Sequence, residues 1–280
     1  MILTEEQAER YSRHFVLREI GLSGQKRLLQ SKVLVIGAGA LGSSALMYLA
    51  AAGTGTLGVA DYDRVELSNL QRQIIHTTEN TGMLKTRSAE LAIKARNPDV
   101  VVQLHSEKMT ADNIQRVIAP YDVVLDCTDR FETKFLINDA CVLSGKPYVH
   151  AGAVRFEGQL MTYVPGRGPC LRCLLGNVPP AEDALTCSQA GVLGAVTGVV
   201  GSLQALEAVK FLLGIGELLT GRVLTFDGLT LRTRVSAVFR ANPDCGVCGQ
   251  HPVIRSLSEN RNEYSEGCAC AASAQEQTGE

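Results

Sequence analysis

Tryptophan is absent from the 280 residues, and that absence by itself excludes nothing. More informative is the lack of any charge excess: 27 basic and 29 acidic residues leave a formal net charge of −2. No broad positive field is available for a nucleic acid or an anionic membrane surface, so neither is expected as a partner. Long hydrophobic runs are also missing. The longest weakly polar stretch, residues 190–203, falls short of the ~18 residues a membrane span needs, and Gln204, Glu207 and Lys210 follow it. Residues 1–6 are acidic and lack the basic and apolar regions of a signal peptide, so a cytoplasmic protein is expected. Hydrophobic residues at 45% and charged residues at 20% describe an ordinary globule rather than a disordered or fibrous chain. A chain of this length buries roughly three quarters of its unfolded surface, enough for one large α/β domain or two small ones.

The order of helix and strand signals sets the fold class. Residues 5–17 and 24–29 read as helical and form an N-terminal arm over residues 1–30. A β-branched run at 32–36 then reads as a buried strand. Gly37-Ala38-Gly39-Ala40-Leu41-Gly42 follows it and opens a helix running to about Ala52, and a second strand at 56–60 ends at Asp61. Helices at 86–96, 111–119 and 131–143 alternate with strands at 100–104, 123–126 and 148–151. This pattern predicts an α/β fold, a Rossmann-like, mostly parallel sheet with helices on both faces. Strands at 159–164, 222–227 and 231–239 predict an antiparallel extension, with a crossover loop at 176–190 and a long helix at 191–213 between them. The main unit is expected over 31–251, in halves of about 31–151 and 152–251, and the polar tail 252–280 is expected to be disordered.

The strand, glycine-rich turn, helix and terminal acid make a nucleotide-binding unit. Small residues let the backbone approach a phosphate or ribose, and the helix N-terminus offers free N–H groups and partial positive charge. Asp61 lies where an acid accepts hydrogen bonds from ribose hydroxyls. Gly37, Gly39, Ala40, Gly42 and Asp61 do not by themselves separate NAD from ATP. The polar run 61–73, which includes Asp63, lies beside the crevice, with Arg72 and Lys85 where a triphosphate extends and Asp129 at a strand end as a candidate magnesium ligand. A triphosphate with magnesium needs such a mixture more than a dinucleotide does. The competing reading is solvated surface pairs.

Nine cysteines include two CxxC pairs, Cys170/Cys173 and Cys245/Cys248. Two such pairs close a tetrahedral thiolate site for structural zinc with no open position; unpaired thiols or a redox pair are the alternatives. Cys187 precedes the long helix, where a thiol can be activated or be a bystander. Cys127 and Cys141 read as core thiols. Cys268 and Cys270 suggest no function, and His76, His105 and His150 form no readable constellation.

Arg10-Tyr11-Ser12-Arg13, the 37–42 turn, Ser68-Asn69-Leu70-Gln71-Arg72-Gln73, Asp126-Cys127-Thr128-Asp129 and both CxxC pairs resemble the MoeB/ThiF/HesA family, the ubiquitin-activating-like adenylyltransferases of sulfur transfer. The resemblance covers about residues 5–250. It implies ATP in the glycine-rich crevice with Asp61 near the ribose, Arg72 and Lys85 on the phosphates, and magnesium at Asp129. Ser68, Asn69 and Gln71 would shape that wall, and Arg13 would reach a neighbouring subunit's site in a homodimer. Residues 152–251 would bind the carrier and zinc, and Cys187 matches a position associated with sulfur transfer or a covalent carrier link. Two departures are Ala40, where the family more often has glycine, and Arg130, which replaces a common asparagine.

The activity so implied is ATP-dependent adenylylation of the C-terminal glycine of a small ubiquitin-like sulfur carrier ending in Gly-Gly. Pyrophosphate would leave, and the activated carrier would serve thiamine, molybdopterin or related thio-cofactor synthesis. A cysteine desulfurase or rhodanese-like protein would supply sulfur separately. An NAD-dependent oxidoreductase explains the turn and Asp61 only. A non-catalytic scaffold for ubiquitin-like proteins leaves the retained Arg13, Arg72, Lys85 and Asp129 without a purpose.

Overall fold

In the computed structural model, the described residues are 2–179, 190–237 and 239–264. Five strands run parallel: β1 (Lys32–Ile36), β2 (Thr56–Ala60), β3 (Val101–His105), β4 (Val123–Asp126) and β5 (Tyr148–Val154). Three more, β6 (Glu157–Tyr163), β7 (Leu224–Asp227) and β8 (Arg232–Val235), extend the sheet antiparallel. The order across the sheet is β3-β2-β1-β4-β5-β6-β7-β8. Both the parallel half and its antiparallel extension agree with the sequence pattern.

The apolar run of β1 is explained by burial on both faces. Val33 and Val35 pack with Leu28 of α3 (Gly21–Gln30), Leu46 of α4 (Ala40–Ala52) and Ile93 of α5 (Lys85–Arg96). Leu34 and Ile36 face the other layer, with Ile114 of α6 (Ile114–Ile118) and Ile137 of α7 (Phe131–Leu143). Each fully buried side chain of this kind contributes about 1.5–3 kcal/mol of transfer free energy. Short α8 (Leu171–Leu175) carries Cys173 and has Cys170 as its N-cap, and α9 (Gly194–Leu213) packs on α4 and β5. By length and composition α9 is apolar enough to cross a membrane, which the sequence reading missed. More than half of its apolar window is nevertheless buried inside the fold, as befits a core helix.

Two further expectations change. The helix over 5–17 is broken at Tyr11, between α1 (Glu5–Arg10) and α2 (Ser12–Phe15). Tyr11 turns inward, and its hydroxyl accepts from Asn97 Nδ2 at 2.8 Å. The tail is not disordered over 252–264. Ile254 and Leu257 are buried beside the CxxC cysteines, and a 3₁₀ turn at Arg261–Tyr264 brings Glu263 to Arg172 at 2.6 Å and the Tyr264 hydroxyl to Asp139 at 2.8 Å. A few apolar anchors and one ionic clasp outweigh the polar composition. Residues 265–280, with Cys268 and Cys270, and residues 180–189 of the crossover loop, with Cys187, lie outside the described residues.

Candidate nucleotide site and cysteine cluster

The chain leaves β1 toward β2 on one side and returns to β4 on the other, so a crevice opens at their C-terminal ends. Gly37 N–H donates to Ala60 O at 2.8 Å and Cys127 N–H to Ile36 O at 2.9 Å, which pins the three strand ends together. Gly37 has φ +98°, and a Cβ there would lie 2.7 Å from Cys127 O. A Cβ on Gly42 would lie 1.9 Å from Gly37 O. These two glycines are demanded by the fold. Gly39, the N-cap of α4, differs: its Cβ would meet only Gln73 Nε2, at 3.7 Å, so the turn is open on that side.

The adjoining cavity measures about 780 Å³, and the candidate residues Gly37, Gly39, Ala40, Asp61, Asp63 and Arg72 line it. Lys85, Asp129 and Arg130 complete the same wall. Asp61 accepts from Ala38 N–H at 2.8 Å and Asp63 N–H at 2.9 Å, so the acid folds the glycine turn as well as facing the cavity. Burial pushes the Asp61 carboxyl above its ordinary range, opposed by Lys85 and those two amides. Lys85 Nζ is held at 2.8 Å by Asp63, and Arg72 donates to Ser68 O at 3.0 Å. Asp129 is exposed and has no ion-pair partner among the described residues. A magnesium ion takes such oxygens, and a free carboxylate on the cavity wall fits one.

Gly42, Ser68, Asn69 and Gln71 do not line the cavity. Asn69 shapes it indirectly: its Oδ1 accepts from Glu66 N–H and caps the 3₁₀ turn that carries Arg72. Arg13 is exposed on α2 and is likewise absent from its own chain's cavity wall.

Sequence reasoning missed several residues. His76 is buried, with one ring nitrogen 2.9 Å from Ala38 O and the other 2.8 Å from Ser88 Oγ, so it buttresses the glycine turn. Burial, then the Lys85 charge, pushes its pKa down despite the Ala38 contact. Behind the cavity-lining Cys127, Thr128 and Lys134, Asp126 ends β4 and accepts from both Thr128 N–H and Oγ1, which bends the segment that presents Asp129. His150 lies 2.8 Å and Lys134 3.2 Å from the same carboxylate, and Lys134 also donates to Ala151 O at 2.6 Å. Burial opposes the Asp126 charge, yet Lys134 and the His150 contact hold its carboxyl well below the usual range. The signal was present: Lys134 follows one turn after the N-cap of the helix that Asp129 leads into. Gln73 Oε1 and His150 Nε2 are buried without hydrogen-bond partners among the described residues. Arg232 and Arg234, alternate residues on β8, line the far end of the cavity.

The cysteines meet as their spacing requires. The Sγ atoms of Cys170, Cys173, Cys245 and Cys248 all lie within 4.8 Å of one another, with separations of 3.6 Å for Cys170–Cys245 and 3.9 Å for Cys170–Cys173. A tetrahedral thiolate site with Zn–S near 2.3 Å sets roughly 3.8 Å between sulfurs, so the cluster fits zinc. Leu171 N–H donates to Asn138 Oδ1 at 2.8 Å, and buried Arg172 forms a two-pronged pair with Asp139, which ties the cluster to α7.

Comparison with known proteins agrees with this geometry. The ThiF family model matches residues 11–247. Adenylyltransferase and sulfurtransferase MOCS3-1 of Drosophila pseudoobscura pseudoobscura is 45% identical over 255 residues, which cover 91% of this chain and 56% of that protein. Adenylyltransferase and sulfurtransferase MOCS3 of Bos taurus is 45% identical over 270 residues, with 96% and 58% coverage. The chain thus spans little more than half the length of these relatives. Among solved structures, E. coli MccB has a TM-score of 0.77 at 23% identity, covering 89% of this chain and 74% of that one. E. coli MccB with ATP has a TM-score of 0.75 at 24% identity, covering 88% and 76%, a likeness of fold. Glycine turn, polar run, strand-end acid and the cysteines Cys170, Cys173 and Cys245 occur within the matched span, with Cys248 one residue beyond it, and the chain belongs to the ThiF family.

Proposed function

We propose that this protein uses ATP to adenylylate the C-terminal glycine of a small ubiquitin-like sulfur carrier and releases pyrophosphate. The observation that carries this reading is the convergence of Gly39, Asp61, Arg72, Lys85 and Asp129 on one cavity. The nucleophile needs no general base, because an α-carboxylate has a pKa of about 3.3–3.7 and is already ionised. The barrier is electrostatic: one anion must reach the α-phosphorus of another while pyrophosphate leaves. Arg72 and Lys85 would hold phosphate oxygens, Asp61 would orient the ribose, and the α4 N-terminus would add partial positive charge. Magnesium held by Asp129 would neutralise phosphate charge when bound. Lys134 lies at the cavity floor already neutralised by Asp126, so it positions the Asp129 segment rather than supplying a free charge.

Other parts of the reading have their own support. Tyr48 of α4 and Val199 and Leu206 of α9 are exposed, and the last two stand seven residues apart on one helix face, which suits a homodimer contact. In such a dimer the exposed Arg13 would serve the partner subunit's cavity. Zinc in the four-cysteine cluster would staple α8 to the 245–248 segment, and a reducing compartment such as the cytoplasm keeps those thiols available. The relatives are named sulfurtransferases as well as adenylyltransferases, so a sulfur donor would act on the adenylate this chain makes. The carrier would feed thiamine, molybdopterin or related thio-cofactor synthesis. An NAD-dependent oxidoreductase gives no reason for Arg72, Lys85 and Asp129 to share the cavity.

The test is exchange of labelled pyrophosphate into ATP, with magnesium and a panel of ubiquitin-fold proteins ending in Gly-Gly. Exchange with at least one member is expected. Silence with the whole panel, under conditions where ATP raises the melting temperature, would refute the carrier reading.

A further inference from the structure

His76 meets the glycine turn away from the cavity, and its partners leave the ring a single arrangement. A carbonyl oxygen only accepts, so the contact of Nε2 with Ala38 O at 2.9 Å puts the ring proton on Nε2. Nδ1 is then the acceptor and takes the Ser88 hydroxyl at 2.8 Å. Ser88 Oγ in turn accepts from Asn80 Nδ2 at 3.0 Å. His76 and Ser88 are 5% and 0% exposed, so water does not compete for these bonds. Burial also favours the neutral ring that this directionality requires.

The consequence lies on the far side of the Ala38–Gly39 peptide. That peptide is trans, and in a trans peptide the C=O and the following N–H point in opposite directions. With Ala38 O turned to His76, the Gly39 N–H points away from the ring, and Gly39 lines the cavity. This N–H has no acceptor among the described residues. The flanking peptides are held as well, Ala38 N–H by Asp61 at 2.8 Å and Gly39 O by Ser43 N–H at 2.9 Å. A free amide fixed from both sides is preorganised for an anion. The same hydrogen bonds also join three segments. His76 stands four residues after Arg72, Ser88 stands three residues after Lys85 on α5, and Ala38 precedes Gly39. Gly39, Arg72 and Lys85 line one cavity, so a single buried relay sets their mutual register, while His76 itself is not on the cavity wall.

We propose that His76 is a positioning residue for the nucleotide: it aims the Gly39 amide at a phosphate oxygen and, through Ser88 and Asn80, registers the Arg72 and Lys85 segments around the same phosphates. This inference rests on the ATP reading above and adds to it a residue that does not touch the ligand.

The test compares His76→Gln, whose amide keeps an N–H donor for Ala38 O, with His76→Leu, which fills the space without one. In the full-length protein, His76→Leu should raise the Kd for ATP about tenfold or more, the scale of a lost hydrogen bond to a charged group. His76→Gln should stay within about threefold of the parent. With isotope-labelled glycine, ATP should shift the Gly39 amide resonance in the parent and in His76→Gln and leave it in place in His76→Leu. Adenosine, which lacks phosphates, should bind the parent and His76→Leu alike. Ser88→Ala releases Nδ1 and lets the ring pivot, so it should weaken ATP binding by a smaller factor, and it carries the test if His76→Leu does not fold. Unaltered ATP affinity in His76→Leu, or in Ser88→Ala where His76→Leu fails to fold, would overturn the positioning role. Equal losses in His76→Leu and His76→Gln would assign His76 to packing and overturn it too. Failure of the parent to bind ATP at all would overturn the nucleotide reading first, and this inference with it.

Discussion

The two ends of α7 are built on opposite terms. Toward its C-terminal end every polar group is satisfied: Asp139 receives Arg172, Tyr264 and Asn138, while Asn138 also receives Tyr148 and the Leu171 amide. At its N-terminal end, Asp129 has no ion-pair partner and His150 Nε2 is buried and unpaired among the described residues, as is Gln73 Oε1 of the cavity wall. Native folds leave few buried polar atoms without partners. A saturated network marks the region that holds the chain together. An unsaturated one, beside a cavity and an open glycine turn, marks the region kept for a ligand.

Equal substitutions at the two ends should therefore have unequal consequences. Asp139→Ala would leave Arg172 buried with only Glu263, and a broken buried pair costs about 3–5 kcal/mol. Denaturant unfolding should show that loss, and a cost below about 1 kcal/mol would mean that the network is not structural. Asp129→Ala should slow pyrophosphate exchange about 10²–10³-fold, the scale for losing a transition-state electrostatic contact. Its melting temperature should not move. A variant that unfolds instead would make Asp129 part of the scaffold and dissolve the contrast. The glycine turn repeats the comparison within six residues. Gly42→Ala forces a methyl onto Gly37 O and should cost about 1–3 kcal/mol, whereas Gly39→Ala enters open space and should weaken ATP binding with the fold intact. Equal stability losses in the two alanine variants would contradict the assignment of Gly39 to the ligand.

Much of this was legible because periodicity and local turn chemistry are written in contiguous residues. The apolar run at β1, Gly37 to Gly42 and the terminal Asp61 make one nucleotide-binding unit whose parts are local, and the four cysteines carry their ligand spacing openly. The less legible parts depend on long-range contacts. Tyr11 breaks the first helix because its ring finds a slot beside Gly53 and Asn97, neither of which is near in sequence. The tail over 252–264 folds because Arg172 and Asp139, 91 and 125 residues away, pair with Glu263 and Tyr264 respectively. His150 and Lys134 were opaque for the same reason: only the pairing of β4 with β5 and the first turn of α7 bring them to Asp126.

The smallest expected effect probes that last cluster through pH. His150 is buried against Lys134, and both burial and that ammonium push its pKa down, with Asp126 opposing. In the unfolded chain a histidine titrates near 6.5, so below that pH the unfolded state binds a proton that the folded state refuses. Stability should thus fall as pH drops from about 6.5 toward the lower folded value, with a limiting slope of about 1.4 kcal/mol per pH unit for one such group. Asp126 acts in a separate window: its depressed folded pKa keeps its contribution intact above the unfolded value near 3.9, and that contribution is lost only at lower pH. His76 and His105, whose pKa values burial also lowers, add to the slope, while Asp61, whose carboxyl burial raises, opposes it. His150→Gln should flatten the decline of melting temperature below about pH 6.5 without abolishing it. An unchanged slope would mean that His150 takes up its proton in the folded state. Its Nε2 would then be a donor awaiting an acceptor, and the buried cluster around Asp126 would carry one more positive charge than the neutral-histidine arrangement allows.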